Sequence, residues 1–406
     1  MKEIKYVCVA MLGFYLLQSC GSVEKEEVVQ VVASPAGNQS SLPFLFSKNN
    51  STLMSWVEVV DSISTLKYSE LKGEKWSSPK DIISGNDWFV NWADFPMIAE
   101  NNGNLLTHVL KKSAPETFSY DVKINVFNKA NSSWKTDILL HKDSINAEHG
   151  FVSALPYKKD SFFITWLDGR NTASEGGGHG EHKGAMSVRA AEVTVNGEIT
   201  NSVMLDDKTC DCCQTTALIT KNGPIVIYRD RSDEEVRDMS IVRLVDGKWT
   251  TPTPIYNDKW KIEGCPVNGP KVAGIENNIA VAWFTVVESK PVVKVLFSKD
   301  GGANFEVPTT IDDKTALGRV DIVMLNNDTA LISWMATSEK KAEVKAVKVT
   351  ASGEIGIPVV ITTLSASRKT GFPQMELVKD KVLFAWTSVE DKESVVKTVF
   401  VALDEF

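Results

Sequence analysis

The amino-acid sequence predicts an all-β fold, a single β-propeller of seven four-stranded blades, and three observations carry that prediction. First, an apolar run ending in one bulky residue recurs seven times: Trp56 in "STLMSW", His108 in "NLLTH", Trp166 in "SFFITW", Tyr228 in "PIVIY", Trp283 in "IAVAW", Trp334 in "ALISW" and Trp386 in "VLFAW". Successive copies lie 52, 58, 62, 55, 51 and 52 residues apart, the spacing of propeller blades rather than of a helical repeat. Second, a short strand precedes each copy by 12 or 13 residues, at Pro43, Pro96, Ser153, Thr215, Pro270, Asp321 and Pro373. Third, an alternating strand, a Gly- or Asn-rich turn and a fourth run follow each copy, as in "VKVLFSKDGGANFEVPTTI", and scarcely any helical period occurs. Four antiparallel strands per unit, repeated around a ring, make a propeller; a six-bladed ring is the alternative.

In chain order, residues 1–19 have the layout of a secretory signal: Lys2 and Lys5, the apolar run "YVCVAMLGFYLL", then "LQSC". The run is too short for a comfortable membrane span. "LQSC" followed by Gly21 resembles the lipobox of bacterial lipoproteins. The resemblance implies cleavage before Cys20, lipidation of its sulfur, and a place in the bacterial cell envelope, facing the periplasm or the cell surface. Residues 20–40 then form a polar tether, in which "EEVVQVVAS" is a candidate closing strand for the ring. The ring needs one, because the last unit of the propeller domain (41–406) supplies only three strands. A net charge of −8 without any basic block excludes nucleic acid as a partner, and the expected state is a monomer.

Residues 298–305, "SKDGGANF", resemble the Asp-box, or BNR repeat, of sialidase-like propellers. Such a box is a turn whose Asp ties down neighbouring backbone amides. It marks the fold more than the function, and it lies between third and fourth strands. The segments leading into each first strand, and the loops after each second strand, belong to the opposite face of the channel. That face, the mouth, is where loops converge on a rigid scaffold.

Two residues before the reference positions stand Ser41, Asp94, Phe151, Cys213, Asn268, Arg319 and Gly371. Five before stand Cys210 and Cys265, in equivalent places of neighbouring blades. Cys210, Cys212, Cys213 and Cys265 therefore meet where the fourth and fifth blades join. Beside them the third unit carries the insertion "WLDGRNTASEGGGHGEHKGAM", with His179 and His182, and His149 precedes it. Thiols beside a His-rich loop suit zinc or copper. Three readings stay open: disulfides, with Cys210–Cys213 and Cys212–Cys265 the feasible pairing; a zinc or copper site; or a redox thiol. Arg170, Arg229, Arg231 and Arg319, with Asp94 and Asp168, make a charged mouth suited to carboxylate, sulfate or phosphate, and so to an anionic glycan.

Sialidases of the Asp-box family, which the chain resembles in architecture, are six-bladed. They clamp the substrate carboxylate with three arginines and use a Tyr–Glu pair as nucleophile with an Asp as acid/base. Here "SSLPFLF" and "ADFPMI" stand where their first arginine would be, and no arginine precedes Arg170. The nearest counterparts of the catalytic set are Tyr228 with Glu234 or Glu235, Asp94 as proton donor and Arg319 as anion holder. The expected function is ligand binding at the mouth of a lipid-anchored propeller. The alternatives are a sialidase-like glycoside hydrolase and a protein-interaction scaffold stapled by disulfides.

Overall fold

The computed structural model describes residues 28–48, 51–172, 184–391 and 393–406. The expected lipidation site Cys20 and the expected ligands His179 and His182 lie outside them. Seven antiparallel sheets occupy residues 40–85, 98–139, 149–209, 216–254, 271–312, 316–365 and 374–402. The last is completed by the N-terminal strand Val29–Val32, paired from Val29↔Val401 to Val32↔Thr398. The ring is thus a seven-bladed propeller closed by its N-terminus. Among the described residues helix is confined to two 3₁₀ turns, Arg368–Thr370 and Leu403–Glu405, and none is long and apolar enough to cross a membrane.

The bulky repeat residues explain why these strands stack as blades. Trp56, His108, Trp166, Tyr228 and Trp283 are wholly buried, and Trp334 and Trp386 nearly so, each on the second strand of its blade. Burying such side chains is the main drive for blade-to-blade packing. Their polar tips need partners, because a buried unpaired donor is costly. In three successive blades the partner is a carboxylate that lies after the third strand of the preceding blade. Tyr228 Oη donates to Asp206 at 2.5 Å, Trp283 Nε1 to Asp258 at 2.7 Å and Trp334 Nε1 to Asp312 at 2.9 Å. These bonds latch each blade to the next. His108, the odd residue of the seven, accepts only a long bond from Met97 N (3.4 Å), and burial pushes its pKa down to about 3.

First strands from all seven blades line the channel, whose interior cavity of about 220 Å³ is bordered by Phe44, Lys271, Asp321 and Glu376 among others. At the mouth several first strands begin with a bulge. Pairing registers shift at Ser41/Phe44, Gly150/Ser153 and Gly318/Asp321, and Leu42, Phe151 and Arg319 adopt positive φ of 59°, 53° and 51°. Left-handed backbone at non-glycine residues costs of order 1 kcal/mol each and re-aims side chains at a rim. Neighbouring rim residues bond directly: Asp94 accepts from Phe151 N (2.8 Å), Asn268 N donates to Cys213 Sγ (3.4 Å), Asn268 Oδ1 accepts from Arg319 N (2.7 Å), and Arg319 donates to Gly371 O (2.8 Å). The positions aligned by the repeat therefore lie along one rim, with bonds joining Asp94 to Phe151 and joining Cys213 through Asn268 and Arg319 to Gly371.

Candidate functional site

The segment Trp92–Phe95, leading from the first blade into the second, crosses this rim. Ala93 O accepts from Gln214 Nε2 of the fourth blade. Trp92 stacks on Phe372 of the seventh (centroids 6.0 Å, planes 10° apart). The segment divides the mouth into two sides of opposite chemistry.

On the side of the second to fourth blades, acids, histidines and thiols crowd together. Asp94 is buried, with Oδ1 bonded to Phe151 N and Oδ2 without a hydrogen-bond partner among the described residues. A Cβ at residue 150 would fall 1.9 Å from that Oδ2, so the close approach requires Gly150. Burial, and secondarily Glu148, push the Asp94 pKa well up. Tyr120 Oη donates to Glu148 Oε1 at 2.6 Å. Burial, opposed by that bond and reinforced by Asp211, brings Glu148 up to about 7. Glu148 is the partly accessible member of this acid group; Tyr120 and Asp94 are enclosed.

Next to it, His141 and His149 stack with ring centroids 3.7 Å apart. Asp143 touches both, at 2.9 Å from His141 Nδ1 and 3.3 Å from His149 Nε2. Arg170 bridges Asp143 (3.0 Å) and Asp168 (2.7 Å). Burial pushes Asp168 up, but the Arg170 bonds, His149 and Trp166 outweigh it and hold the carboxyl at about 2. These groups include two metal-capable sets, Asp121–His141–His149 and Asp143–His149–Asp168.

The thiols form a third such set. Cys210, Cys212 and Cys213 have sulfurs within 4.8 Å of one another, and Cys265 is close enough to Cys212 to act on its thiol. All four are free cysteines, with Cys210 Sγ 3.6 Å from Cys213 Sγ. Burial opposes ionisation of Cys210, but the adjoining thiols, Arg237 and Arg229 outweigh it and favour a thiolate.

On the side of the sixth and seventh blades stands Arg319. Its guanidinium lies 4.8 Å from the Trp92 ring centroid and 5.8 Å from that of Phe372, and Nη1 donates to Thr370 Oγ1 (2.9 Å) and Gly371 O (2.8 Å). Arg368 approaches the same Trp92 ring at 6.0 Å. Arg319 has no carboxylate within ion-pair distance among the described residues. Burial, then Arg368, push its pKa down to about 10.

Several sequence expectations change here. Tyr228 faces Asp206, not Glu234, which is exposed and bonded to Ser232; the Tyr–Glu pair at the mouth is Tyr120–Glu148. Arg229 is engulfed, with its donors on the carbonyls of Arg237, Asn268 and Phe284. Arg231 is held by Glu235 (2.8 Å) and Asp211 (3.2 Å), and Arg170 with Asp168 forms a brace. Arg319 and Asp94 keep free valence. His149 groups with His141 and the aspartates instead of with the thiols. The sequence does not single out Tyr120, Trp92 or Phe372: Tyr120 and Trp92 sit off the repeat register, Phe372 stands one residue after Gly371, and the aromatic density of "DWFVNWADF" hints at Trp92 alone.

The roomier recesses lie elsewhere. One of about 640 Å³ is walled by Tyr68, Glu70, Lys80 and Glu100, and one of about 460 Å³ surrounds Ser47, Lys48 and Lys379. Neither sets an unpaired guanidinium against an aromatic face, so chemistry rather than volume singles out the mouth.

No protein-family model matches the chain, and no curated protein matches it in sequence. Among solved structures it is similar to an ulvan lyase of a new polysaccharide lyase family, bound to -[GlcA(1-4)Rha3S]-, with a TM-score of 0.55 and 11% identity over 92% of this chain and 96% of that one. It is also similar to an α-L-arabinofuranosidase of Fusarium graminearum (TM-score 0.51, 11% identity, 93% and 98% covered). A Hadza microbial sialidase gives a TM-score of 0.50 at 10% identity, covering 86% of this chain and 75% of that one. At such identities the likeness is one of fold: this chain has the propeller architecture that these glycan-processing enzymes use.

Proposed function

We propose that the chain binds an anionic glycan at the channel mouth, with Arg319 and Arg368 receiving a carboxylate or sulfate and Trp92 offering a face to the sugar. The observation that carries this reading is Arg319: a guanidinium held between two aromatic rings and two oxygen acceptors, with no counter-ion among the described residues. An arginine so oriented, and already partly desolvated, gains most from a bidentate anion. The protein is a monomer anchored in the bacterial cell envelope through lipidated Cys20. Zinc or copper at the cysteine cluster is a cofactor that glycan binding does not require.

Calorimetry with uronate-, sulfate- and sialate-bearing oligosaccharides, against neutral oligosaccharides of equal length, tests the proposal. Acidic ligands should bind and Arg319→Ala should weaken them about 10- to 100-fold, the worth of a charge-assisted bond. Equal binding of acidic and neutral sugars would sink it, and no binding of either would leave the scaffold reading. Labelling of the full chain by a fatty acid, lost in Cys20→Ser, tests the anchor.

One observation favours a second reading, a glycan-cleaving enzyme. Glu148, brought to about 7 and bonded by Tyr120 beside Asp94, whose carboxyl burial pushes well up, is half protonated at neutral pH, as a general acid requires. Release of reducing ends from a bound oligosaccharide, abolished in Glu148→Gln while binding persists, would support it.

A further inference from the structure

Outside the glycan wall, the thiol cluster is the feature least explained by the packing of the propeller. Three thiols meet in one turn, and the segment bearing Cys265 is drawn against it: a Cβ on Gly269 would fall 2.2 Å from Gln214 O, so only glycine permits the approach. We propose that Cys210, Cys212 and Cys213 hold one thiophilic metal ion, Cu⁺ or Zn²⁺, as thiolates, with Cys265 reaching the site from the next blade.

The sulfur spacing is the first argument. Around an ion with metal–sulfur bonds of about 2.3 Å, sulfurs of a tetrahedral set lie roughly 3.8 Å apart and those of a trigonal set about 4.0 Å. Cys210 Sγ and Cys213 Sγ are 3.6 Å apart, close to such an edge, whereas a disulfide requires about 2.0 Å. Cys212 joins them with all three sulfurs within 4.8 Å.

The surroundings are the second. Arg237 Nη1 donates to Cys210 Sγ at 3.2 Å and Asn268 N to Cys213 Sγ at 3.4 Å. N–H groups aimed at sulfur stabilise thiolate, the form that binds metal, and are the usual outer partners of a metal site.

Charge is the third. Arg229 is 1% exposed and Arg237 3% exposed. Arg237 has Glu235 at 2.7 Å, but Arg229 has no carboxylate within 4 Å among the described residues: its donors meet carbonyls, its guanidinium lies 4.8 Å from the Trp260 ring, and Asp238 acts on it only from further away. A buried cation without an anion is expensive. Three thiolates around Cu⁺ carry −2 and around Zn²⁺ −1, so the complex supplies a closer anion than Asp238 for Arg229. The histidine–aspartate set nearby lacks this feature, because Arg170, with Arg189 3.8 Å from Asp168, already pairs Asp143 and Asp168.

The test uses the full chain, purified without chelators and reduced before loading separately with Cu⁺ or Zn²⁺. Elemental analysis should give one ion per chain, with X-ray absorption placing three or four sulfurs at about 2.3 Å; the ion retained against a competing chelator identifies the metal. Arg237→Gln should weaken binding 10- to 100-fold, and Cys210→Ser or Cys213→Ser should reduce the stoichiometry below about a tenth. Wild-type protein that binds neither ion after loading overturns the proposal. So does metal whose nearest neighbours are nitrogen and oxygen only. The wild-type spectrum decides the matter even if a serine variant fails to fold, and glycan binding by metal-free protein keeps the two proposals separable.

Discussion

Arg170 and Arg319 are both arginines of the mouth, on opposite sides of the Trp92–Phe95 crossing, and they do opposite things. Arg170 lies between Asp143 and Asp168, and the hydrogen bonds of Asp168 raise its pKa. Arg319 lies between Trp92 and Phe372, and burial lowers its pKa to about 10. The same residue type is a brace where its charge is already met and a candidate receptor where it is not. A sequence read by residue type cannot separate the two; the separation comes from partners.

Removing Asp168 should break the brace and give the largest effect. Asp168 is wholly buried and accepts from Arg170 and from Trp166 Nε1 (2.9 Å). Taking one partner from a buried pair typically costs about 3–5 kcal/mol. Asp168→Ala is therefore expected to lower the denaturant midpoint strongly with an unchanged m-value, whereas Arg319→Ala, which loses no ion pair, should shift it little. A large loss of stability in Arg319→Ala, with ligand binding intact, would reverse the assignment of the two sides.

The middle-sized effect is one of pH. Glu148 titrates near 7 in the folded chain and near 4.5 when unfolded. Between those values the folded state holds a proton that the unfolded state has released, so this group makes stability fall as pH rises through the window. Glu376, brought by burial and Asp321 to about 8, acts in the same direction. His108 acts oppositely: neutral in the fold down to about 3, it makes stability fall as pH drops below 6.5. The difference between wild type and Glu148→Gln isolates the first. It should change between pH 4.5 and 7 and be flat above, and a difference that is flat throughout would remove Glu148 from the protonatable set.

The architecture was legible because it is periodic. The positions of Trp56, Trp283, Trp334 and Trp386 fixed the register, and the register led to the rim formed by Asp94, Phe151, Cys213, Asn268, Arg319 and Gly371. It also brought Cys265 to Cys212 across two blades. What the register could not convey is how each polar side chain is satisfied. Tyr228 sits on a repeat position and is latched to Asp206, while the phenol at the mouth is Tyr120, the first residue of a third strand. Arg229 follows Tyr228 directly and is consumed by carbonyls of the neighbouring blade, contacts made by residues 39 and 55 positions away. Such pairings depend on loop conformation and on left-handed residues such as Phe151 and Arg319, which nothing in their side-chain chemistry announces.

The smallest expected effect lies at the far end of the channel and tests whether the mouth acts independently of it. In the Ser298–Phe305 turn, Asp300 accepts from Asn304 N (2.9 Å), Asn304 Nδ2 (2.8 Å) and Ser298 Oγ (2.8 Å). Gly301 N bonds Asn277 O (2.8 Å), which sets the turn against the hairpin of the first two strands. Asp300→Ala removes local bonds at a partly exposed site where water can replace them, so the loss should be about 1 kcal/mol. Because the turn sits in the fifth blade at the opposite end of the channel from Arg319 of the sixth, glycan affinity should stay within about twofold, as distant sites with no shared partners behave additively. If affinity fell with stability, the rim would be held by the blade as a whole, and the contrast between Arg170 and Arg319 would be a property of the ring rather than of their immediate partners.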